Sequence, residues 1–316
     1  MSTILFTHEA CLDHITPDGH PECADRLRAI NEYLHSSALS ALIREQAPLA
    51  DIKDAEYAHT RSYLNFLEKS APVTGEVYLD QDTVMSPHSL TAALYAVGAA
   101  MACVDAVFTK RAHNAFAATR PPGHHAESNR AMGFCLLNHV AIAARYALDC
   151  YDCKRVAIVD WDVHHGNGTQ EIFWSDQRVL YASTHEMPLF PGSGAQIECG
   201  EFNNIVNVPL DPESGSDDFR QAFSDKILPR IKQFEPDLII ISAGFDAHRR
   251  DLLGSIQLTQ EDFSWATHCL IDIANTCSQG RLISILEGGY DFEGLGSSVS
   301  AHLQALLSTS SVTDKR

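Results

Sequence analysis

The sequence predicts an α/β protein built on a mostly parallel β-sheet with helices on both faces. Short runs of β-branched and apolar residues recur along the chain, and longer stretches of helical periodicity separate them. The composition suits a folded chain of this class, since 45% of the 316 residues are hydrophobic and 20% are charged. No repeat, low-complexity segment or linker divides the chain, so we expect a single domain over residues 1–316.

The strand predictions depend on short apolar segments bounded by turn residues. The first segment reads Thr-Ile-Leu-Phe, and later ones, such as Ile-Ile-Ile at 239–241, are apolar enough to be buried on both faces of a sheet. The expected strands are residues 3–6, 114–119, 155–160, 178–183, 204–208, 237–242 and 281–286.

The helix predictions depend on periodicity and on residues that favour a helix N-terminus. Ser86 precedes Pro87, and Thr259 precedes the carboxylates of Glu261 and Asp262. Two polar segments, residues 78–87 and 185–196, are expected to be long surface loops. The expected helices are residues 24–35, 86–110, 137–148, 217–233, 259–277 and 295–308.

Charge and targeting signals exclude several classes of protein. With 23 basic and 41 acidic side chains, the net charge is −18, which argues against nucleic-acid binding and against a membrane surface. The N-terminus does not read as a signal peptide, and no apolar run is expected to reach transmembrane length. Nine scattered cysteines, among them the close pair Cys150 and Cys153, are expected to be free thiols in a cytoplasmic protein.

Chemically active side chains follow four of the expected strands. Ligands of an open parallel sheet bind beyond the carboxyl ends of its strands. The segments 120–125, 161–168, 243–248 and 287–290 each combine His, Asp or Tyr with glycine at such a position. This coincidence predicts one site at one edge of the sheet.

Asp162 and His164 are expected to hold a metal ion together with Asp246. Two residues apart in an extended segment, Asp162 and His164 face the same side, and Asp246 follows another strand. Two carboxylates and one imidazole leave coordination positions open, as catalytic zinc requires, although iron, cobalt or manganese would also fit. The alternative interpretation is a loop cap beside a surface histidine.

His124 and His125 are expected to share the same pocket. One of them would act as general base toward a metal-activated water and then as general acid, with Asp160 orienting an imidazole. The Tyr290 hydroxyl would donate to a developing oxyanion. Alternatively, the tandem histidines are metal ligands or surface residues, and Tyr290 is a tyrosine packed at a turn.

These segments closely resemble the zinc-dependent histone deacetylase family, in its class II-like and bacterial amidohydrolase branch. The resemblance covers nearly the whole chain and implies the arginase/deacetylase fold, with a central parallel eight-stranded sheet. It also implies hydrolysis of an acyl-lysine or a related acylated amine to the free amine and, for an acetyl group, acetate. The motifs that carry it are residues 20–27, 79–87, Arg120-Pro-Pro-Gly-His-His125, 133–135, Val159-Asp-Trp-Asp-Val-His-His-Gly-Asn-Gly168, 190–192, 244–246 and Glu287-Gly-Gly-Tyr290.

The resemblance assigns roles that agree with those argued from the residues. His125 would be the base and then the acid, His124 with Asp160 would supply electrostatic help, and Tyr290 would polarise the scissile carbonyl. One zinc ion per chain would be held by Asp162, His164 and Asp246. A potassium ion is also implied, near Asp160, Asp162, His164, Ser183 and Thr184.

The resemblance also implies a narrow substrate tunnel. Phe134 and Phe190 would be its aromatic walls, and the Gly133 carbonyl would accept from the substrate amide. Asp82 would anchor the substrate backbone at the rim, with Asp80 as a competing candidate for that role. The substrates implied are acyl-lysine peptides, proteins or small acylated amines.

Three positions depart from relatives or distinguish among them. Asn167 replaces the Asp that partners the second histidine in class I members, which leaves His125 without that carboxylate. Leu253 stands where polyamine-selective relatives carry Glu, which favours acyl-lysine over polyamine substrates, and Leu252 stands where many relatives have Pro. The alternatives that stay open are an acetylpolyamine or small-amide deacetylase, an arginase-like ureohydrolase and a non-catalytic acyl-lysine binder.

Overall fold

The computed structural model of the chain describes residues 2–308. Its centre is an eight-stranded sheet in which all neighbouring strands run parallel. The strands of the described residues are β1 (Thr3–Thr7), β2 (Ile43–Gln46), β3 (Val77–Tyr78), β4 (Val84–Met85), β5 (Asn114–Ala117), β6 (Val156–Asp160), β7 (Val179–Glu186), β8 (Ile205–Leu210), β9 (Leu238–Ala243) and β10 (Leu282–Leu286). The order in the large sheet is β2-β1-β5-β10-β9-β6-β7-β8, and β3 and β4 form a separate antiparallel pair.

Helices cover both faces of this sheet. A π-helical turn over Phe223–Ile227 joins two of them into one continuous stretch. The helices of the described residues are α1 (Asp25–Tyr33), α2 (Arg61–Ser70), α3 (Ser89–Phe108), α4 (His139–Cys150), α5 (Asn167–Phe173), α6 (Ser216–Ala222), α7 (Leu228–Phe234), α8 (Gln260–Cys277) and α9 (Phe292–Ser308).

Two hydrophobic cores form because successive side chains of a strand point to opposite faces. In β6, Ile158 belongs to the core under α3 and α4, whereas Val159 belongs to the core under α8 and α9. Both residues are fully buried. The strands are therefore apolar on both sides, and the predicted parallel sheet covered on both faces is confirmed.

The differences from the predicted elements have local causes. Strand β2 is absent from the predicted strands because it is an edge strand that reads Ile-Arg-Glu-Gln and is largely exposed. Helices α2 and α5 are additions to the predicted set, and the predicted helix 217–233 consists of α6, the π-helical turn and α7. Residues 78–87 are not one surface loop, since they contain β4, which is buried.

Helix α3 corrects the expectation that no apolar run reaches transmembrane length. Its 20 residues are long and apolar enough to cross a membrane, by length and composition only, and 67% of the apolar window is buried inside the fold. The helix packs against β5 and α4. Its apolar composition is therefore accounted for by the core, where nearly every side of the helix meets protein.

Candidate active site

The central four strands of the sheet bring the four predicted segments together. Strands β5, β10, β9 and β6 are consecutive neighbours in the sheet. Because they are parallel, their carboxyl ends lie at the same edge. The segments that follow them therefore converge, although they span residues 120–290 of the sequence.

Asp162, His164 and Asp246 form a cluster suited to one metal ion. A donor atom from each lies within 4.8 Å of the others. His164 Nδ1 lies 3.2 Å from Asp162 Oδ1 and 3.2 Å from Asp246 Oδ2. The predicted trio thus meets at one point, with two carboxylates and one imidazole directed at it.

The backbone fixes the two carboxylates of this cluster. Gly288 N donates to Asp162 Oδ2 at 2.9 Å, and Val163 N donates to Asp246 Oδ1 at 2.8 Å. A Cβ atom on Gly288 would lie 2.2 Å from Asp246 Oδ2, and one on Gly244 would lie 2.2 Å from Asp162 Oδ2. Only glycine leaves room for the carboxylates at these positions.

The electrostatics of the cluster favour a bound cation. Burial and the neighbouring Asp162 carboxylate raise the pKa of Asp246 to about 7. Burial alone would lower the pKa of His164, but hydrogen bonds with Asp162 and Asp246 raise it to about 10. Two buried carboxylates concentrate negative charge that a divalent cation would offset, so the donor set fits zinc or a related metal.

His124 is paired with Asp160, as the sequence predicts. His124 Nδ1 donates to Asp160 Oδ2 at 3.0 Å, and the Tyr181 hydroxyl donates to the same oxygen at 3.1 Å. Burial opposes protonation of His124, but the carboxylates of Asp162 and Asp160 raise its pKa well above the usual value. Tyr181 is not among the predicted site residues; the one signal for it is a tyrosine on a fully buried strand next to the strand of Asp160.

His125 lies beside His124 and is partnered by Asn167. The ring centroids of the two histidines are 4.0 Å apart, and His125 Nδ1 lies 2.8 Å from Asn167 Oδ1. Burial, followed by the nearby His124 and His164, lowers the pKa of His125 well below its usual value. A neutral imidazole at this position has a ring nitrogen available to accept a proton.

Tyr290 is held at the site by Asp251 and Arg26. Tyr290 N donates to Asp251 Oδ2 at 2.6 Å. Arg26 Nε donates to Gly289 O at 2.7 Å, and the Arg26 guanidinium lies 4.9 Å from the Tyr290 ring centroid. Burial raises the pKa of Tyr290 well above its usual value, so its hydroxyl stays protonated and is able to donate.

Buried charged residues behind the site have no role assigned from the sequence. Glu22 bonds to the guanidinium groups of Arg26 and Arg120, and all three side chains are fully buried. Glu287 Oε2 accepts from Gly123 N at 2.6 Å and from His124 N at 3.1 Å. Glu22 and Glu287 lie in recognisable motifs, but the sequence does not show which distant backbone they meet.

The predicted tunnel residues lie around the site. The Phe134 ring centroid is 5.9 Å from that of Tyr290, and the Phe190 centroid is 5.1 Å from that of His125. Gly133 precedes Phe134 at a backbone φ of 55°, and its carbonyl accepts from Cys135 Sγ at 3.2 Å. Leu253 is partly buried, whereas its neighbour Leu252 is 94% exposed.

Asp80 and Asp82, the two candidates for the rim position, make different contacts in the loop that carries them. Asp80 Oδ1 accepts from Asp82 N at 3.0 Å and from Thr83 N at 2.6 Å, so that oxygen is engaged by its own loop. Asp82 Oδ1 accepts from Thr83 Oγ1 at 3.2 Å, and that hydroxyl accepts from Phe134 N at 3.1 Å. Asp82 is therefore linked to the backbone of Phe134 through the Thr83 hydroxyl, whereas one oxygen of Asp80 is taken up by its own loop.

The residues of the expected potassium site lie on the adjacent strands β6 and β7 and, for Asp162 and His164, in the segment that follows β6. Asp160 and Ser183 are register partners of β6 and β7, and Ser183 and Thr184 are buried. Ser183 Oγ lies 2.9 Å from His185 Nδ1. The potassium assignment stays a prediction.

The fold and the arrangement of these side chains define a hydrolase of the arginase/deacetylase class. The family model for the histone deacetylase domain matches residues 20–306. A probable deacetylase of Archaeoglobus fulgidus is 38% identical, over 93% of this chain and 83% of its own length, and a Synechocystis protein, slr0245, is 42% identical over 97% and 100%. The crystal structure of the HDA15 HD domain superposes with a TM-score of 0.92 at 38% identity, covering 97% of this chain and 88% of that one.

The chain therefore belongs to the histone deacetylase family. It is a deacetylase. The predicted family, fold and enzyme class are confirmed.

Proposed function

We propose that this chain is a zinc-dependent deacetylase that removes acetyl or other acyl groups from the side-chain amine of lysine. The observation that carries the proposal is the convergence of the three donor groups of Asp162, His164 and Asp246 beside the imidazole of His125. A zinc ion bound there would polarise the scissile carbonyl and lower the pKa of the attacking water.

The side chains around the cluster divide the remaining work. His125, neutral and held through Nδ1 by Asn167, takes the proton from the attacking water and returns it to the leaving amine. His124, charged beside Asp160, offsets negative charge, and the Tyr290 hydroxyl donates to the oxygen on which that charge develops. The different partners of His124 and His125, Asp160 and Asn167, support different charge states for the two rings.

Chelation and restoration test the metal. Dialysis against a chelator is expected to abolish release of amine from an acetyl-lysine peptide, and zinc is expected to restore it. In the zinc-loaded protein, Tyr290→Phe and His125→Ala are expected to lower kcat by at least about 100-fold. Wild-type rates in the metal-free protein, or in both variants, would overturn the proposal.

The substrate assignment is tested separately. Phe134 and Phe190 suit the methylene stem of an acyl-lysine, and Leu253 offers no carboxylate to a polyamine cation. We expect acetyl-lysine peptide to be hydrolysed faster than acetylputrescine, and Leu253→Glu to shift the ratio toward acetylputrescine. A preference of the wild-type enzyme for acetylputrescine would favour the polyamine alternative.

A ureohydrolase is disfavoured because the chain lacks aspartates for a second metal ion, and the nearby His165 and His248 bond to other residues. The aspartates that hold a second metal in arginases are replaced by Gly166 and His248, and His165 lies beside the cluster. His165 bonds to Ser193 and Gln170, and His248 Nδ1 accepts from Arg250 N. Metal analysis that gave two manganese ions per chain would favour the ureohydrolase, and tight peptide binding without turnover would favour a non-catalytic binder.

Potassium binding is proposed as a structural addition to this function. Ser183, which pairs with Asp160 across β6 and β7, and the following Thr184 are both buried. We expect potassium chloride to raise the thermal midpoint more than an equal concentration of tetramethylammonium chloride, whose cation is too large for a buried site. Equal midpoints in the two salts would count against this site.

A further inference from the structure

We propose that Glu127 is a positioning residue that fixes the amide orientation of Asn167 and thereby decides which nitrogen of His125 carries a proton. The inference rests on the proposed function, because it concerns the histidine to which proton transfer is assigned. Glu127 acts on His125 only through Asn167, which hydrogen-bonds to both of them.

Asn167 bridges His125 and Glu127 with its two amide atoms. Its Oδ1 lies 2.8 Å from His125 Nδ1, and its Nδ2 donates to Glu127 Oε1 at 2.9 Å. Asn167 is only 8% exposed, so water has little access to replace either partner. The three side chains form a continuous hydrogen-bonded chain that leads from the site to the protein surface.

The direction of this chain follows from the chemistry of its outer end. An ionised carboxylate only accepts hydrogen bonds, so the NH₂ group of Asn167 must face Glu127. The amide oxygen then faces His125, and His125 Nδ1 must carry the proton that it donates. Nε2 of His125 is left with a free lone pair, which is the state a general base needs.

The oxygen and the nitrogen of an amide are similar in size, so both orientations of the Asn167 amide would fit the same space. Without the Glu127 carboxylate, much less would select between them. A flipped amide would present its NH₂ group to His125 Nδ1, which would then have to accept. The proton of the neutral ring would move to Nε2, and the ring could no longer take a proton from water there. Selecting between these two states is the task that we assign to Glu127.

The surroundings keep Glu127 in place. Arg130 Nη2 donates to Glu127 Oε1 at 2.7 Å, which holds the carboxylate on the Asn167 side of the loop. Glu127 N donates to Arg130 O at 2.9 Å, and Glu127 O lies 3.0 Å from His59 Nδ1. Two weaker acceptors also face Asn167 Nδ2, Met132 Sδ at 3.1 Å and His125 O at 3.5 Å, and Glu127 is the charged and nearest of the three.

Glu127 is needed because position 167 is an asparagine, whose amide has two different ends that must be oriented. A carboxylate at this position would accept from His125 with either oxygen, so its rotation would leave the proton where it is. The effect of Glu127 should therefore depend on Asn167, and this coupling separates positioning from a general effect on the loop.

The kinetic experiment uses the zinc-loaded enzyme and an acetyl-lysine peptide. Glu127→Ala is expected to lower kcat about 10- to 100-fold, which is the range for loss of a residue that orients a site group without touching substrate. KM should change less than about 2-fold. Glu127→Gln keeps an acceptor oxygen and should recover most of kcat. In the Asn167→Asp variant the two carboxylates would face each other and there is no amide to orient, so removing Glu127 should not lower kcat.

Glu171→Ala is the matched control. Glu171 accepts from Ser128 N and Ser128 Oγ, both at 2.9 Å, so it anchors the same loop with another carboxylate, one directed at Ser128 rather than at Asn167. Its kcat should stay within about 2-fold of wild type. An equal loss of kcat in Glu171→Ala, or an equal effect of Glu127→Ala with Asp at position 167, would overturn the inference.

A second readout does not depend on turnover. Nitrogen-15 NMR of the imidazole rings, assigned with His125→Ala, should show a protonated Nδ1 and a bare Nε2 for His125 in the wild type and a shift toward protonated Nε2 in Glu127→Ala. An unchanged His125 signal in Glu127→Ala would overturn the inference. An inactive wild-type protein that shows the expected NMR signals would instead contradict the proposed function and leave the positioning role of Glu127 supported.

Discussion

The carboxylate of Glu287 accepts a hydrogen bond of 2.6 Å from the backbone of Gly123, although 164 residues separate the two in the sequence. The same oxygen accepts from His124 N, and the other accepts from Ser242 Oγ at 3.0 Å. Glu287 follows β10, Gly123 follows β5 and Ser242 lies in β9. One buried side chain thus joins three of the four strand ends that form the site.

Removal of the Glu287 carboxylate should lower both activity and stability. Glu287→Ala leaves two buried backbone donors unpaired, which should cost about 1–3 kcal/mol in free energy of unfolding. The turn that presents His124 and His125 should loosen, so kcat should fall at least about 10-fold. Glu287→Gln keeps one oxygen and should lose less of each. Urea unfolding and steady-state kinetics measure the two effects, and a folded Glu287→Ala protein with wild-type kcat would contradict this prediction.

Gly133 should not tolerate a side chain. Its φ is 55°, and a Cβ atom would lie 2.4 Å from His125 Cδ2. Gly133→Ala should therefore displace His125 and lower kcat at least about 10-fold, in addition to the roughly 1 kcal/mol of stability that a left-handed backbone costs an alanine. Gly192 has a φ of 86°, and a Cβ atom added there would meet nothing within 4 Å, so Gly192→Ala isolates the backbone cost. Equal kcat values for the two variants would show that contact with His125 is unimportant.

The buried charges behind Tyr290 should be strongly interdependent. Glu22→Ala would leave the guanidinium groups of Arg26 and Arg120 buried without their carboxylate, which should cost about 3–5 kcal/mol in free energy of unfolding. The exposed pair of Asp25 and Arg28 provides the control, and Asp25→Ala should cost roughly 0–1 kcal/mol. Chemical denaturation of both variants gives the comparison, and similar losses in the two would contradict it.

His302 should make stability depend on pH. Burial lowers its pKa to about 3, from about 6.5 in the unfolded chain. Its contribution is complete above pH 6.5 and is lost as the pH falls toward 3, because only the unfolded chain then binds the proton. His302→Asn should reduce the slope of unfolding free energy against pH by up to about 1.4 kcal/mol per unit between pH 6 and 4. Urea titrations at several pH values measure both slopes, and parallel lines would contradict the assignment.

The sequence predicts the site best where His and Asp residues directly follow buried strands. Asp162, His164 and Asp246 can be grouped because glycine-flanked His and Asp residues follow buried apolar strands, and the parallel sheet brings such ends together. The edge strand β2 cannot be predicted in the same way, since it reads Ile-Arg-Glu-Gln, is largely exposed and lacks the apolar residues of a buried strand.

Contacts between distant segments explain what the sequence does not reveal. From the sequence, Asn167 indicates the loss of a carboxylate partner for His125, but its amide oxygen occupies that place, and the carboxylate lies one residue further out at Glu127. Tyr181 and Glu287 act across strands through side-chain lengths and rotamers that spacing does not encode. Motif spacing predicts the inner groups of the site, and only the fold identifies the groups that hold them.

The position of β10 in the sheet determines when the site is complete during synthesis. Before β10 enters between β5 and β9, the sheet is two separate parts, with His124 and His125 after a strand of one and Asp162, His164 and Asp246 after strands of the other. A nascent chain whose residues 282–286 are still inside the ribosome therefore cannot bring His125 next to Asp162, His164 and Asp246. The site can therefore be assembled only after the chain has been synthesised beyond residue 286.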